Sequence, residues 1–257
     1  MPNILNLVVF QQKKNMQKTA LITGGARRIG KAMASHLAAN GWSVAIHYNK
    51  SEAPAKELAG KLTILYPNQQ FQAFGADLTV SSSTEQLLPS VISEMGVPSL
   101  LINNASVFEP KSLKETSMRF FDEQITVNFK APFILTRDYA NLCKSGIIIN
   151  FVDTRITTNK SNFAAYSLAK KALWELTKMS ALELGPGIRV NAIAPGLTLA
   201  PAEKGEDYLW YLAKHIPMQR PSGLEPVLKS LDFILTNDYL TGQLLFCDGG
   251  ENIGYIS

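Results

Sequence analysis

Apolar residues in this chain alternate between two patterns. Short unbroken apolar runs are separated by longer stretches whose apolar positions share one helical face. The short runs predict strands at Thr19–Thr23, Ser43–Tyr48, Phe71–Gly75, Leu100–Asn103, Gly146–Val152, Ile188–Ala194 and Gln243–Cys247. The stretches between them predict helices: from the first glycine turn to about Asn40, then Ser51–Leu65, Ser82–Met95, about Ser117–Leu142, Phe163–Leu184 and about Leu224–Leu235. Gly185-Pro186-Gly187 ends the fifth of these, and about Leu197–Arg220 is expected to be irregular. Strictly alternating strands and helices predict an α/β fold: one doubly wound parallel sheet of about seven strands with helices on both faces. Strands that are apolar throughout fit burial on both faces.

No linker, repeat or low-complexity segment interrupts residues 16–257, so one domain is the simplest organisation. Residues 1–15 are expected to be a mobile extension or an upstream start. In sheets of this kind ligands bind beyond the carboxyl ends of the strands, where strand order reverses. Gly24, Asn103, Asp153 and Pro195 all end or follow predicted strands.

Of the 257 residues, 46% are hydrophobic and 18% charged, which is a globular and not a disordered composition. The net charge of +4 is mild, and no basic tract carries interleaved aromatics, so nucleic acid is not expected as a partner. Cys143 and Cys247 are too few for a disulfide framework and read as ordinary buried thiols of a cytoplasmic protein. No apolar run approaches the ~20 residues that cross a bilayer. Met1–Phe10 is apolar but lacks a basic start and a small-residue cleavage site, so a signal peptide is not expected. No metal site is expected.

Candidate chemistry begins with Tyr166 and Lys170, four residues apart and therefore on one helical face, with Asp153 upstream at the end of a strand. A nearby cation favours the phenolate, so Lys170 is expected to lower the Tyr166 pKa. The Thr23–Gly30 turn joins a strand to a helix, where Gly24 and Gly30 allow the backbone to approach a pyrophosphate at the helix N-terminus. An NAD site usually carries an acid at the end of the second strand. Here Asn49, Lys50 and Ser51 stand there, with Arg28 nearby, which predicts a 2′-phosphate and so NADPH. His47 reads as a strand residue, and His36 and His215 as structural.

Together these residues resemble the short-chain dehydrogenase/reductase family from Lys18 onward. The resemblance rests on the Thr-Gly-x-x-x-x-x-Gly turn, Asp77-Leu78, Asn103-Asn104-Ala105, Asn128, Tyr166 with Lys170, and Pro195-Gly196-Leu197-Thr198. It implies a Rossmann-type domain in which Gly24, Arg28, Ile29, Gly30, Asp77, Leu78, Asn104, Ala105, Pro195, Gly196 and Thr198 hold NADP(H). It also implies that Asn128 orders a water linking Lys170 to solvent. The family's usual serine after the fifth strand is Asp153 here. A carboxylate only accepts hydrogen bonds, so it opposes a ketone oxygen and suits a substrate bearing N–H groups.

With Asn104-Ala105-Ser106-Val107-Phe108 and His47-Tyr48-Asn49-Lys50-Ser51, the chain resembles the pteridine reductase branch. That likeness implies a pterin or folate substrate stacked on Phe108, with Ser106 and Arg28 near both ligands, and a homotetramer pairing the helices near 117–142 and 163–184. Taken alone, Phe108 reads equally well as a core aromatic. The expected reaction is NADPH-dependent reduction of a pterin C=N bond, with Tyr166 as proton donor, tuned by Lys170 and aided by Asp153. The alternative is reduction of a 3-oxoacyl thioester or another carbonyl. A non-catalytic NADPH sensor would usually lack the tyrosine or the lysine. The 197–220 stretch is the expected substrate lid, in which Trp210 and Tyr211 either cover a flat ring or pack as a helix face.

Overall fold

The structure is a computed structural model that describes residues 18–201 and 204–255, so the expected extension over 1–15 lies outside the described residues. Seven strands form one sheet: β1 (Thr19–Ile22), β2 (Ser43–Tyr48), β3 (Phe71–Gly75), β4 (Leu100–Asn103), β5 (Gly146–Phe151), β6 (Ile188–Pro195) and β7 (Leu244–Cys247). The order across the sheet is β3-β2-β1-β4-β5-β6-β7. All pairs are parallel, for example Ala20 beside Val44 and Leu100. The helices are α1 (Arg28–Ala39), α2 (Glu52–Leu65), α3 (Ser81–Met95), α4 (Met118–Ile125), α5 (Ala131–Cys143), α6 (Ala164–Leu184), α7 (Glu206–Ala213) and α8 (Glu225–Thr236). Among the described residues no helix is long and apolar enough to cross a membrane.

Successive strand residues point to opposite faces of the sheet, and here both faces are apolar. Ala20, Ile22, Val44, Ile46, Leu100 and Ile102 pack with Met33 and Leu37 of α1, Leu58 of α2 and Leu231 of α8. Leu21, Ala45, Leu101, Ile148 and Val190 pack with Leu88 and Val91 of α3 and Leu135 and Tyr139 of α5. Burial on both sides explains why the strands read as unbroken apolar runs. Leu101 is fully buried, and removing such a side chain from water stabilises the fold by roughly 1.5–3 kcal/mol.

Two elements depart from the sequence reading. The long helix predicted over about 117–142 is divided into α4 and α5 by a π turn, Thr126–Lys130. Pro132, near the start of α5, has no N–H to give and crowds the preceding turn. The chain widens there, and the Ala131 N–H reaches the Thr126 carbonyl instead. Such π turns are frequent at functional sites, and this one holds Asn128. The second departure is α7, inside the stretch read as irregular. It buries only Leu209 and Ala213, too few positions to give a periodic signal.

Strand order reverses between β1 and β4. The crevice beyond their carboxyl ends is where a doubly wound sheet places its ligands.

Candidate active site

The turn after β1 is held from three sides. Gly24 has φ +62°, a conformation that glycine adopts without strain. A Cβ on Gly30 would lie 2.1 Å from the Gly24 carbonyl oxygen, so only glycine lets α1 approach the turn. From β4, the Asn104 amide donates to the carbonyls of Thr23 (2.9 Å) and Gly24 (3.2 Å). The Thr23 hydroxyl in return accepts the N–H groups of Asn104 (2.9 Å) and Ala105 (3.0 Å).

From β2, the ring of His47 is the third support. Its Nδ1 accepts the Gly24 N–H at 3.0 Å, and its Nε2 lies 3.0 Å from the Ala76 carbonyl. Those two partners fix the tautomer, with the proton on Nε2. Burial pushes the His47 pKa down to about 4, so the ring is neutral at physiological pH. His47 is therefore the strand residue expected, and its ring also pins the glycine turn. Among the described residues no side chain caps the start of α1, and its first turn carries no acid, so its leading N–H groups remain for an anion.

The neighbouring end of β2 presents Asn49, Lys50 and Ser51. Asn49 donates to Asp77 at 3.3 Å. The N–H and hydroxyl of Thr79, at 2.9 and 2.7 Å, hold the Asp77 carboxyl below its usual range, with a smaller contribution from the Lys50 charge. Leu78, implied to help hold the dinucleotide, turns its side chain into the core beside Phe74 and Leu87. Ile29 packs against the core on the α1 side. Arg28, expected near both ligands, donates to the carbonyls of Ala200 (2.9 Å) and Leu199 (3.1 Å). Its forked guanidinium matches two successive carbonyls of the lid segment.

Past β5 the reactive groups converge. The Tyr166 hydroxyl donates to Asp153 Oδ2 at 2.9 Å. Asp153 Oδ1 accepts the Arg155 N–H (2.8 Å) and Arg155 Nη1 (3.3 Å). One turn along α6, the buried Lys170 Nζ donates to the Phe151 carbonyl at 2.7 Å and lies 5.7 Å from the centre of the Tyr166 ring. The expectation that Lys170 eases ionisation of Tyr166 is reversed in this protein. Burial, then the charge and hydrogen bond of Asp153, push the Tyr166 phenol well above its ordinary value. Burial also brings the Lys170 ammonium down to about 8. Desolvation and the nearby carboxylate thus outweigh the Arg155 charge and the Ser106 hydrogen bond that pull the other way, and Tyr166 holds its proton as a donor must.

Asn128 is fully buried. Its Oδ1 accepts from the Ser106 hydroxyl (2.7 Å) and the Val107 N–H (3.3 Å), and its Nδ2 donates to the carbonyls of Val107 and Gln124, both at 3.0 Å. These bonds position the Ser106–Phe108 loop. Phe108 is half exposed, which sets aside the core-aromatic reading. It stacks on Phe163 with ring centres 4.4 Å apart and planes 5° apart, and it meets the edge of Tyr166 at 4.8 Å.

A cavity of about 620 Å³ opens over this group, lined by Phe108, Asp153, Arg155 and Phe163, by Pro195, Gly196 and Thr198 after β6, and by Tyr208 and His215 from the lid. Trp210 and Tyr211 are 53% and 61% exposed and do not line the cavity, whereas Tyr208 of the same helix does. His215, read as structural, lines it as well.

Sequence reasoning missed Arg155, Phe163, Tyr208 and Glu251. Glu251 follows β7, and inspection of the last strand's carboxyl end would have found it. Burial pushes its carboxyl up, and Asp153 adds to that shift.

A family model described as short chain dehydrogenase matches residues 18–207. Among solved structures, the chain is similar to FolM alternative dihydrofolate reductase 1 from Brucella canis, complexed with NADP, at 32% identity and a TM-score of 0.86, covering 93% of this chain and 96% of that one. It is 30% identical to pteridine reductase 1 of Leishmania tarentolae, over 91% of this chain and 96% of the relative. It is also 28% identical to the 3-oxoacyl-(acyl-carrier-protein) reductase FabG of Staphylococcus epidermidis, over 91% of this chain and 99% of the relative.

Proposed function

The chain belongs to the short chain dehydrogenase family, and from that premise we propose that it reduces a C=N bond of a pterin, a dihydropterin to its tetrahydro form, with NADPH. The glycine turn, the uncapped start of α1 and the basic end of β2 fit a dinucleotide bearing a 2′-phosphate. The solved FolM neighbours hold NADP, which supports the same cofactor here. When bound, the dinucleotide supplies the hydride.

The protein's own part is to hold the ring and deliver a proton. Phe108 offers a flat apolar face beside the reactive phenol, and orienting the ring lowers the barrier. The Tyr166 hydroxyl, protonated through the neutral range, donates its proton to the ring nitrogen as the C=N bond is reduced. Lys170, with its pKa near 8, restores that proton from below. Asp153 accepts the Tyr166 hydrogen bond and presents acceptor oxygens to a ring that carries N–H donors.

The observation that carries this reading is the 2.9 Å bond between Tyr166 and Asp153 at the wall of the cavity. A carboxylate in that place meets a ketone oxygen lone pair to lone pair. The 3-oxoacyl reductase relatives support a second reading, carbonyl reduction on the same frame. NADPH consumption with dihydrobiopterin, dihydromonapterin, dihydrofolate and an acetoacetyl thioester separates the two. The pterins are expected to exceed the thioester in kcat/KM by roughly a hundredfold or more, and a preferred thioester would replace the pterin reading. A cytoplasmic homotetramer belongs to the same proposal. Its support is the exposed apolar side chains on α5 and α6, Phe133, Leu168, Met179 and Leu182.

A further inference from the structure

The polar and aromatic groups at the wall of the cavity engage one another. Asp153 Oδ1, the carboxylate oxygen not engaged by Tyr166, accepts from the Arg155 guanidinium at 3.3 Å. The same guanidinium lies 5.1 Å from the centre of the Phe108 ring and 4.6 Å from that of Phe163. Phe163 in turn covers a face of Phe108 in a near-parallel stack at 4.4 Å. The two groups a flat, N–H-bearing ring would use are therefore both engaged. A planar cation with N–H donors occupies the acceptor, and an aromatic ring occupies the stacking face. Both fillers come from one segment, residues 154–163, between β5 and α6. Arg155 sits on the short 3-10 turn Thr154–Thr157, and Phe163 is the residue just before α6.

The geometry points to Arg155 and Phe163 as a built-in competitor for the substrate site, with Arg155 a specificity-determining residue. This rests on the pterin reading above and deepens it. A ligand must break the Asp153–Arg155 pair and the Phe108–Phe163 stack to enter. A planar ring with N–H donors restores both interactions, the donor to Asp153 and the face to Phe108. A flexible acyl thioester restores neither, so the displacement weighs against it alone. The arrangement acts as negative selection at an otherwise permissive cavity, and it lowers the apparent affinity of the true substrate by the fraction of molecules that are open.

Arg155→Met tests the competition, because it keeps the apolar stem and the Arg155 N–H bond to Asp153 while removing the guanidinium. With NADPH saturating, KM for 7,8-dihydrobiopterin is expected to fall roughly three- to tenfold, a larger change than the one in kcat. Guanidinium ion at low millimolar concentration, far below denaturing levels, is expected to compete with the pterin in Arg155→Met and hardly at all in the wild type. Arg155→Lys, which keeps the charge but loses the planar fork, is expected to give an intermediate KM.

An unchanged or raised KM in Arg155→Met, with no guanidinium effect, would overturn the competitor role and leave the pterin reading standing. Absence of pterin turnover by the wild type would sink the reading and the inference together.

Discussion

The turn after β1 and the cavity wall after β5 lie at the same edge of one sheet, yet they are held by different means. The turn is fixed through its backbone N–H and carbonyl groups, which side chains of β2 and of the loop after β4 hold in place. Gly24 and Gly30 allow the close approach, Asn104 and Ala105 donate four bonds to Thr23 and Gly24, and the neutral ring of His47 takes the Gly24 N–H. The wall is fixed by side chains from segments far apart in sequence: Phe108 after β4, Asp153 and Arg155 after β5, Phe163 and Tyr166 on the way into α6. Those groups engage one another, and in the proposal above they exchange partners for substrate. A site that serves one shared cofactor can be rigid, whereas a site that chooses among substrates benefits from having something to displace.

The most direct way to break this contrast is at Tyr166. Replacing it with phenylalanine removes the proton donor and leaves the turn untouched, so kcat is expected to fall by roughly 10²–10⁴-fold. NADPH affinity, read by fluorescence titration, should stay within about twofold. A loss of less than tenfold would assign proton delivery to another group.

The next test bears on the rigid half. Folding lowers the His47 pKa from 6.5 to about 4. The unfolded chain therefore takes up this proton first as pH falls. The stability contributed by neutral His47 is complete above about pH 6.5 and is lost progressively towards pH 4, by roughly 3 kcal/mol over the whole interval. Urea midpoints measured between pH 7 and pH 5 should drop for the wild type, and the drop should shrink in His47→Gln. Equal slopes for the two proteins would mean that the ring is not the link between β2 and the turn.

The smallest effect concerns Lys50. Lys50→Ala removes one exposed charge near Asp77, and KM for NADPH is expected to rise about tenfold with KM for NADH unchanged. An equal rise for both cofactors would place Lys50 away from the 2′-phosphate.

Much of this protein could be read from the sequence. The seven strands stand where their apolar runs predict, with ends differing by a residue at most, because burial on both faces leaves an unbroken signature. The glycine turn, Lys50-Ser51, Asp153, Tyr166 and Lys170 were legible because each depends on neighbours within a few positions or on the end of a strand. The split of the long helix at Pro132 was also encoded locally, and the helical rhythm masked it.

The tertiary structure decided what depends on distance through space. Only packing could show that Tyr166 ionises less readily, because that outcome balances burial and Asp153 against Arg155 and Ser106, and none of these strengths is written in the spacing. Only packing could bring Arg28 to the lid carbonyls 171 and 172 residues away and lay Phe163 on Phe108. Sequence pattern specifies which face of an element is apolar, and therefore the sheet and its edge. Which side chains meet at that edge is set by how loops of unrelated sequence close over it, and their contacts carry no periodicity to read.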